Sequence, residues 1–430
     1  MIATTILLGL IYSYLNYLIW EKTRSIPLLL IQVILYFYTF HIYWIVILHH
    51  FNIATGLEYI MDYPFMASMN EVMFISYVQY MLFALIYLLT ILLWVIMPRR
   101  QDFEPAPYAI NCRLLLYGGI FCFLIPVLFW LKELMWVFSS GLSGYAVYKS
   151  GADFGVLYPV LRLLFDLSAA LLFLALFVAI KFTRGLKKNG GRKNLELVLS
   201  AIMLVMLYWV LMSFGDKTSL YFGLFFSLSV VLANQRKLNI KRILPFVVFV
   251  VLINTISILR HNPVGLSIID LVTVSAKHMI FHGEAVSGLS QYILLNNNVA
   301  FYGGKSALFL LNILLPRFLY PYRLEDPYEY FAFQSDLPSG TGWGIHYATD
   351  WYMNFGIVGM LLGAIFLGLF SAYLYNKSKF STRWLFVFGG FIASYPLSFR
   401  AGIAGIKNMA LGMVLGLIVY YIACRKIIVR

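Results

Sequence analysis

The chain reads as an all-α polytopic membrane protein, and three observations predict that class. Its 430 residues are 62% hydrophobic and 12% charged, with a mean hydropathy of +0.83, a composition that a water-soluble globule cannot bury. Apolar stretches of about 20 residues recur along it, each long enough to cross the hydrocarbon as a helix that satisfies its own backbone. Lys and Arg are concentrated in alternate loops, as the positive-inside bias requires.

Eleven spans are expected, approximately Ile2 to Trp20, Ile26 to His49, Val72 to Met97, Leu114 to Val137, Leu157 to Ile180, Leu197 to Met212, Ser219 to Ala233, Ile243 to Leu259, Phe355 to Tyr375, Trp384 to Phe399 and Asn408 to Cys424. The first lacks a basic flank and a small-residue cleavage site, so it reads as a retained helix and not as a removable signal. Basic loops follow alternate spans: Glu21 to Arg24, the segment with Arg99, Arg100 and Arg113, then Lys181 to Lys193, Asn234 to Arg242, Asn376 to Arg383 and the tail after Cys424. The loops between them are poor in cations: His50 to Glu71 has none, Ser139 to Val156 has Lys149, and the turn before Ser219 has Lys217. This alternation predicts an outward N-terminus and a cytoplasmic C-terminus.

The same rule places one long loop, residues 260–354 between the eighth and ninth spans, on the outer face. The expected organisation is a single integral membrane domain, residues 1–430, elaborated by that loop. Ala307 to Leu315 is too short to span and is followed by Pro316, so it reads as a re-entrant or interfacial helix. Leu266 to Phe281 reads as a second surface helix.

The net charge of +14 follows from topology and implies no nucleic-acid partner. Cys112 and Cys424 fall in cytoplasmic positions and Cys122 within a span, so neither an outer disulfide nor a zinc spacing is expected. The sequence has no Gly-rich phosphate fingerprint before a helix, no HExxH and no nucleophile elbow. No cofactor and no metal site is expected.

Chemistry is sought among outer-face charges. Arg260, Arg317, Arg323 and Arg400 oppose the positive-inside bias, and Lys217 shares their face. A guanidinium fork binds phosphate oxygens through two parallel hydrogen bonds and keeps its proton, which suits a lipid diphosphate at headgroup level. For any one Arg, headgroup contact or an ion pair with Glu325 or Asp326 is an equal explanation; the set on one face favours a ligand. A plain turn, with Asp216 capping the next helix, equally accounts for Lys217.

In GTGWGIHYATDWYMNFG, glycines at 340, 342 and 344 precede a helix start, and His346 and Asp350 lie four apart. On one helical face, Asp350 would orient His346 as a general base; a structural His and a capping Asp are the competing explanations. Trp343, set among glycines, is the aromatic singled out for stacking on a sugar. The pairs Gly359 with Gly363 and Gly412 with Gly416 read as helix packing.

These features resemble the Wzy-type polymerases of O-antigen or oligosaccharide repeat units. The layout is similar over nearly the whole chain, and the motifs are similar over residues 260–368: Pro316, Arg317, Pro321 and Arg323, then a Gly-rich stretch leading to Asn354, Phe355 and Gly356. The family's Gly-x-Arg-Ser turn has a counterpart in FGDKTSL, with Lys217 where Arg is usual. The resemblance implies a GT-C-like architecture in the bacterial inner membrane. It also implies transfer of a polyprenyl (undecaprenyl) diphosphate-linked glycan to a sugar hydroxyl of another lipid-linked repeat unit; with no Asp-x-Asp pair in an outer loop to hold a metal, that transfer is expected to be metal-independent. Arg260, Arg317, Arg323, Lys217 and Arg400 would then hold the diphosphate, His346 or Asp350 would take the acceptor proton, and a flippase and a chain-length regulator would be partners. An O-antigen ligase, with the lipid A core as acceptor, and a transporter or flippase remain alternatives. A transporter would be expected to show a duplicated half and midplane charge beyond Lys132 and Arg162.

Overall fold

A computed structural model of the protein describes residues 1–50, 70–96, 108–139, 158–183, 190–214, 217–233, 240–261, 267–281, 285–314, 324–335 and 344–426. Each of the eleven expected spans is helical there: Ile2–Thr23, Ile26–Thr39 with His41–His50, Glu71–Ile96, Cys112–Phe129 with Leu131–Ser139, Tyr158–Thr183, Gly190–Phe214, Thr218–Leu232, Ile240–His261, Tyr347–Phe380, Thr382–Arg400 and Gly405–Ala423. Among the described residues, seven helices are long and apolar enough to cross a membrane, or eight if the pair Ile26–Thr39 and His41–Leu48, bent by 55°, is one span. The protein is therefore a multi-pass membrane protein. Helix Thr218–Leu232 has 15 residues; at about 1.5 Å per residue it falls short of a hydrocarbon layer about 30 Å thick.

Local sequence explains the helix boundaries. Ser25 accepts from Leu28 N at 3.4 Å and Pro27 opens the second helix, while Asn111 accepts from Arg113 N and Leu114 N at 3.1 and 3.2 Å. Helix Ile2–Thr23 exposes Leu7, Leu10, Tyr14 and Tyr17, a surface suited to lipid. Between residues 260 and 354, the structure has helices Ile268–Phe281 and Lys305–Leu314, where surface helices were expected. It adds Ala285–Asn296 and Pro327–Gln334, which apolar periodicity did not indicate.

The chain forms two compact units. One comprises Met1–Asp102, Ile280–Lys377 and Ser394–Leu411; the other Phe103–Met279, Ser378–Ala393 and Gly412–Arg430. The second unit is packed on small and apolar side chains, with Leu115, Leu171, Phe222, Phe226, Phe386 and Val419 in one core. Its helix directions follow from side-chain bonds. Cys112 Sγ donates to Ala175 O at 3.5 Å and Ser168 Oγ to Gly119 O at 2.9 Å, so Cys112–Phe129 runs antiparallel to Tyr158–Thr183. Arg162 Nη2 donates to Thr218 Oγ1 at 2.7 Å and Ser227 Oγ to Ala170 O at 3.4 Å, so Thr218–Leu232 runs parallel to that same helix. The pair Gly412 and Gly416 receives the backbone of Phe386 and Gly390 from helix Thr382–Arg400. A small ribbon, Tyr108–Ile110 antiparallel to Cys424–Lys426, closes this unit.

The first unit is tied instead by buried tyrosines, whose hydroxyls require partners away from water. Tyr43 Oη meets Ser76 Oγ at 2.9 Å and donates to Gly288 O at 3.1 Å. Tyr77 Oη donates to Thr5 O at 3.0 Å and Tyr87 Oη to Ser371 Oγ at 3.2 Å. Helix Tyr347–Phe380 breaks at Phe355 and Gly356; Gly356 has φ 64 and ψ −159, a region essentially restricted to glycine. A straight helix would separate residues 351 and 363 by about 18 Å. Here a Cβ on Gly363 would lie 2.8 Å from the Trp351 ring, so residues 347–354 fold back on the helix that follows. Gly359 and Gly363 seat that reversal.

Candidate functional site

Backbone pairing builds the site first. Ile345 forms a parallel bridge with Ala401: Ile345 N donates to Arg400 O, and Gly402 N to Ile345 O, each at 3.0 Å. Gly402 has φ 59, and a Cβ there would collide with the Asp350 carboxylate. The crossing therefore brings the start of the folded-back helix against the end of helix Thr382–Arg400.

His346 immediately precedes that helix and caps it, with Nδ1 accepting from Ala348 N at 3.1 Å. Because Nδ1 accepts, the neutral ring carries its proton on Nε2, which donates to Thr39 Oγ1 at 3.1 Å. Burial pushes the imidazole from its ordinary value down to about 3. Around it, Tyr80 Oη meets Thr349 Oγ1 at 2.7 Å and Ser290 Oγ at 3.1 Å, and His346 N donates to Ser290 Oγ at 3.0 Å.

Asp350, one turn later, is fully buried. Its Oδ1 accepts from Ser306 Oγ at 2.6 Å and Asn354 Nδ2 at 2.7 Å, and its Oδ2 from Ile403 N at 2.7 Å. Asn354 Oδ1 accepts in turn from Ser306 N at 3.2 Å. The carboxylate thus lies at two helix starts, that of Lys305–Leu314 and that of the turn Gly402–Ala404 leading into Gly405–Ala423, where partial positive charge favours an acid. Tyr302 N donates to Met353 O at 2.8 Å, and Asn312 Nδ2 donates to Leu324 O at 2.9 Å. The residues flanking segment 315–323 are tied into the same assembly.

The structure brings His346, Asp350 and Arg400 together in one unit, but the expected side-chain pairing of His346 with Asp350 does not form. His346 stands before the helix, so the same-face rule for residues four apart does not reach it. The ring nitrogens go to Thr39 and Ala348, and the carboxylate to Ser306, Asn354 and Ile403. Lys217 belongs to the other unit; it precedes helix Thr218–Leu232, with Nζ 5.8 Å from the Tyr221 ring centroid. Arg260 lies in helix Ile240–His261; its side chain, and the residues Arg317, Arg323, Trp343 and Asp216, fall outside the described set. Among the described residues, no three His, Cys, Asp or Glu side chains converge as a metal would require.

Sequence reading missed Ser306, Thr39 and the Ile403 amide. Only Ser306 carried a local signal, since Gly303 and Gly304 followed by Lys305 and Ser306 punctuate a helix start. In comparisons with protein-family models, curated proteins and solved structures, nothing matches this chain.

Proposed function

We propose that the protein is a glycosyltransferase of the bacterial inner membrane that polymerises lipid-linked oligosaccharide repeat units. The observation that supports this reading is the assembly that ties the Asn-Phe-Gly turn to residues flanking the Pro-Arg segment. Asn354 of the Asn-Phe-Gly turn bonds Ser306, and the helix that starts there leads, through Asn312, to the flank of the Pro-Arg segment. Arg400 joins by its carbonyl. Eleven spans, a periplasmic N-terminus, a cytoplasmic C-terminus and an outward 260–354 loop complete the reading. The helix directions in the second unit agree with it, because Arg162 and Lys217 share one end while Arg113, paired with Glu196 at 2.9 Å, stands at the start of an antiparallel helix.

In the reaction, the bond from the anomeric carbon to the undecaprenyl diphosphate breaks, a sugar hydroxyl of the acceptor forms the new glycosidic bond, and its proton passes to an oxygen of the departing diphosphate. Arg260, Arg317, Arg323, Lys217 and Arg400 stabilise the leaving diphosphate, the task a metal performs elsewhere. Their burial and full hydrogen bonding assign Asp350 and His346 to positioning, since neither side chain offers a polar atom to a substrate. Trp343 stacks on a sugar.

Deletion and restoration of the gene, read on a surface-glycan gel, test the proposal. Collapse of the ladder to one repeat unit on lipid A supports a polymerase. Loss of glycan from lipid A with polymer kept on its carrier indicates the ligase, and an unchanged ladder removes both. Arg317→Ala should abolish polymer with the protein retained in the membrane.

A further inference from the structure

We propose a glycan-binding surface in the first unit, where loop 297–302 lies along helix Pro327–Gln334 and presents Phe301 and Phe333 among exposed amides and a carboxylate. The ligand is a glycan chain. That this chain is the lipid-linked polymer rests on the function proposed above; glycan binding by the surface does not.

Three side-chain bonds lay the loop antiparallel to the helix. Asn297 Nδ2 donates to Ser335 O at 3.0 Å, just past the helix end, Tyr330 Oη to Ala300 O at 3.2 Å, and Tyr302 Oη to Glu325 O at 2.9 Å, just before its start. The Tyr302 and Tyr330 rings pack with centroids 4.3 Å apart. The loop leaves helix Ala285–Asn296 through a closed turn, with Val299 N donating to Leu294 O at 3.0 Å and Asn298 left-handed at φ 50, a conformation asparagine tolerates better than most residues. The surface is thus held in one shape before a ligand arrives, which lowers the entropic cost of binding.

Two large rings stand out from it. Phe333 is 75% exposed and Phe301 66%, and Tyr352 braces the latter at 6.1 Å. Exposed rings on the spans, such as Tyr117 and Phe121 on helix Cys112–Phe129, have lipid as their surroundings. Phe333 instead shares its helix face with exposed Glu329, four residues earlier, and precedes exposed Gln334. The loop beside it exposes Asn296 and Asn298. A carboxylate and three amides are too costly to place in hydrocarbon, so the rings among them meet water. Neither 296–301 nor 326–334 contains Lys or Arg, which excludes an anion as the favoured ligand. The combination matches a sugar: the C–H face of a pyranose covers an aromatic ring, amides donate to and accept from its hydroxyls, and a carboxylate accepts from them.

Isothermal titration calorimetry of the full-length protein, in a detergent without sugar headgroups, tests the surface with the host strain's own surface polysaccharide released from lipid by mild acid. Binding should persist in added NaCl, because no ion pair carries it. Phe301→Ala and Phe333→Ala should each weaken affinity about fivefold, and together more than about tenfold, tenfold corresponding to about 1.4 kcal/mol. Both side chains are exposed, so neither change should unfold the protein, and Phe333→Trp, which keeps an aromatic face, should bind as the unmodified chain does. No binding by the unmodified protein, wild-type affinity in the double alanine variant, or loss of affinity in Phe333→Trp overturns the proposal. In proteoliposomes, a water-soluble maleimide should label Phe333→Cys above the unsubstituted background and polysaccharide should slow it; absence of labelling would put the ring in lipid and overturn the proposal as well. A glycan ladder unchanged on gene deletion, with phenylalanine-dependent binding intact, would remove the polymerase and leave this surface. A collapsed ladder with wild-type binding in the double alanine variant would do the reverse.

Discussion

Helix starts in the two units of this protein carry charge of opposite sign, a carboxylate in one and cations in the other. Asp350 brings a carboxylate to the starts of Lys305–Leu314 and Gly402–Ala404, where the backbone is partially positive, and both oxygens are taken by protein donors. Arg162 and Lys217 bring cations to the start of Thr218–Leu232, where the backbone repels them, beside a buried hydroxyl with no partner. In the first, protein donors hold both carboxylate oxygens; in the second, Lys217 supplies no side-chain cap and Ser219 Oγ has no hydrogen-bond partner. A buried charge met by protein donors on both oxygens therefore reads as architecture, whereas cations at a positive helix start fit the anion-holding role proposed for Lys217.

The sharpest break of that comparison is Asp350→Ala, which strands Ser306, Asn354 and the Ile403 amide together. A loss of more than about 3 kcal/mol is expected, measured by thermal unfolding in detergent. Asp350→Asn keeps one acceptor oxygen and should cost about 1–3 kcal/mol. Substantial polymer from folded Asp350→Asn would support positioning. A stable variant without polymer would return Asp350 to proton transfer.

Next in size is the pH response of His346. Its folded pKa is depressed to about 3 against about 6.5 unfolded, so the unfolded chain binds a proton that the folded one refuses. This contribution is undiminished above pH 6.5 and erodes as pH falls, reaching about 2 kcal/mol of lost stability at pH 5. His346→Gln, whose amide can both accept from Ala348 and donate to Thr39, should flatten that part of the profile. An identical slope in the variant would place the pH dependence elsewhere. Of similar size, Gly356→Ala forces a side chain into a glycine-only conformation and should cost about 1–3 kcal/mol. The displacement of Trp351 from Gly363 would be visible in its fluorescence.

The helices were legible because hydropathy and the alternation of basic loops are written locally, residue by residue. Gly356 was legible as a helix-start motif, but its reversal was not: Asn354, Phe355 and Gly356 announce a break, whereas the seat for Trp351 depends on Gly359 and Gly363 beyond it. Asp350 stood out by residue type, yet its partners lie 44 residues before it in Ser306 and 53 after it in Ile403, and no periodicity links them. His346 was misread in geometry because a single residue separates a capping position from a helical face. Arg162 was visible as a charge near a span, but only the packing of two parallel helices brings it to Thr218.

The smallest effect is the one that most directly opposes the two regions. Lys217→Ser places a capping hydroxyl where a cation now meets the helix dipole, which should stabilise the ligand-free protein by about 1 kcal/mol. Loss of the contact with the Tyr221 ring offsets about 0.5 kcal/mol of this. The same change removes a phosphate donor, so the stabilisation conferred by farnesyl diphosphate should shrink. Stability without ligand and response to ligand would move in opposite directions, as expected of a charge retained for binding. A variant that loses stability in diphosphate-free buffer would instead make Lys217 part of the architecture, like Asp350, and the distinction between the two helix starts would fail.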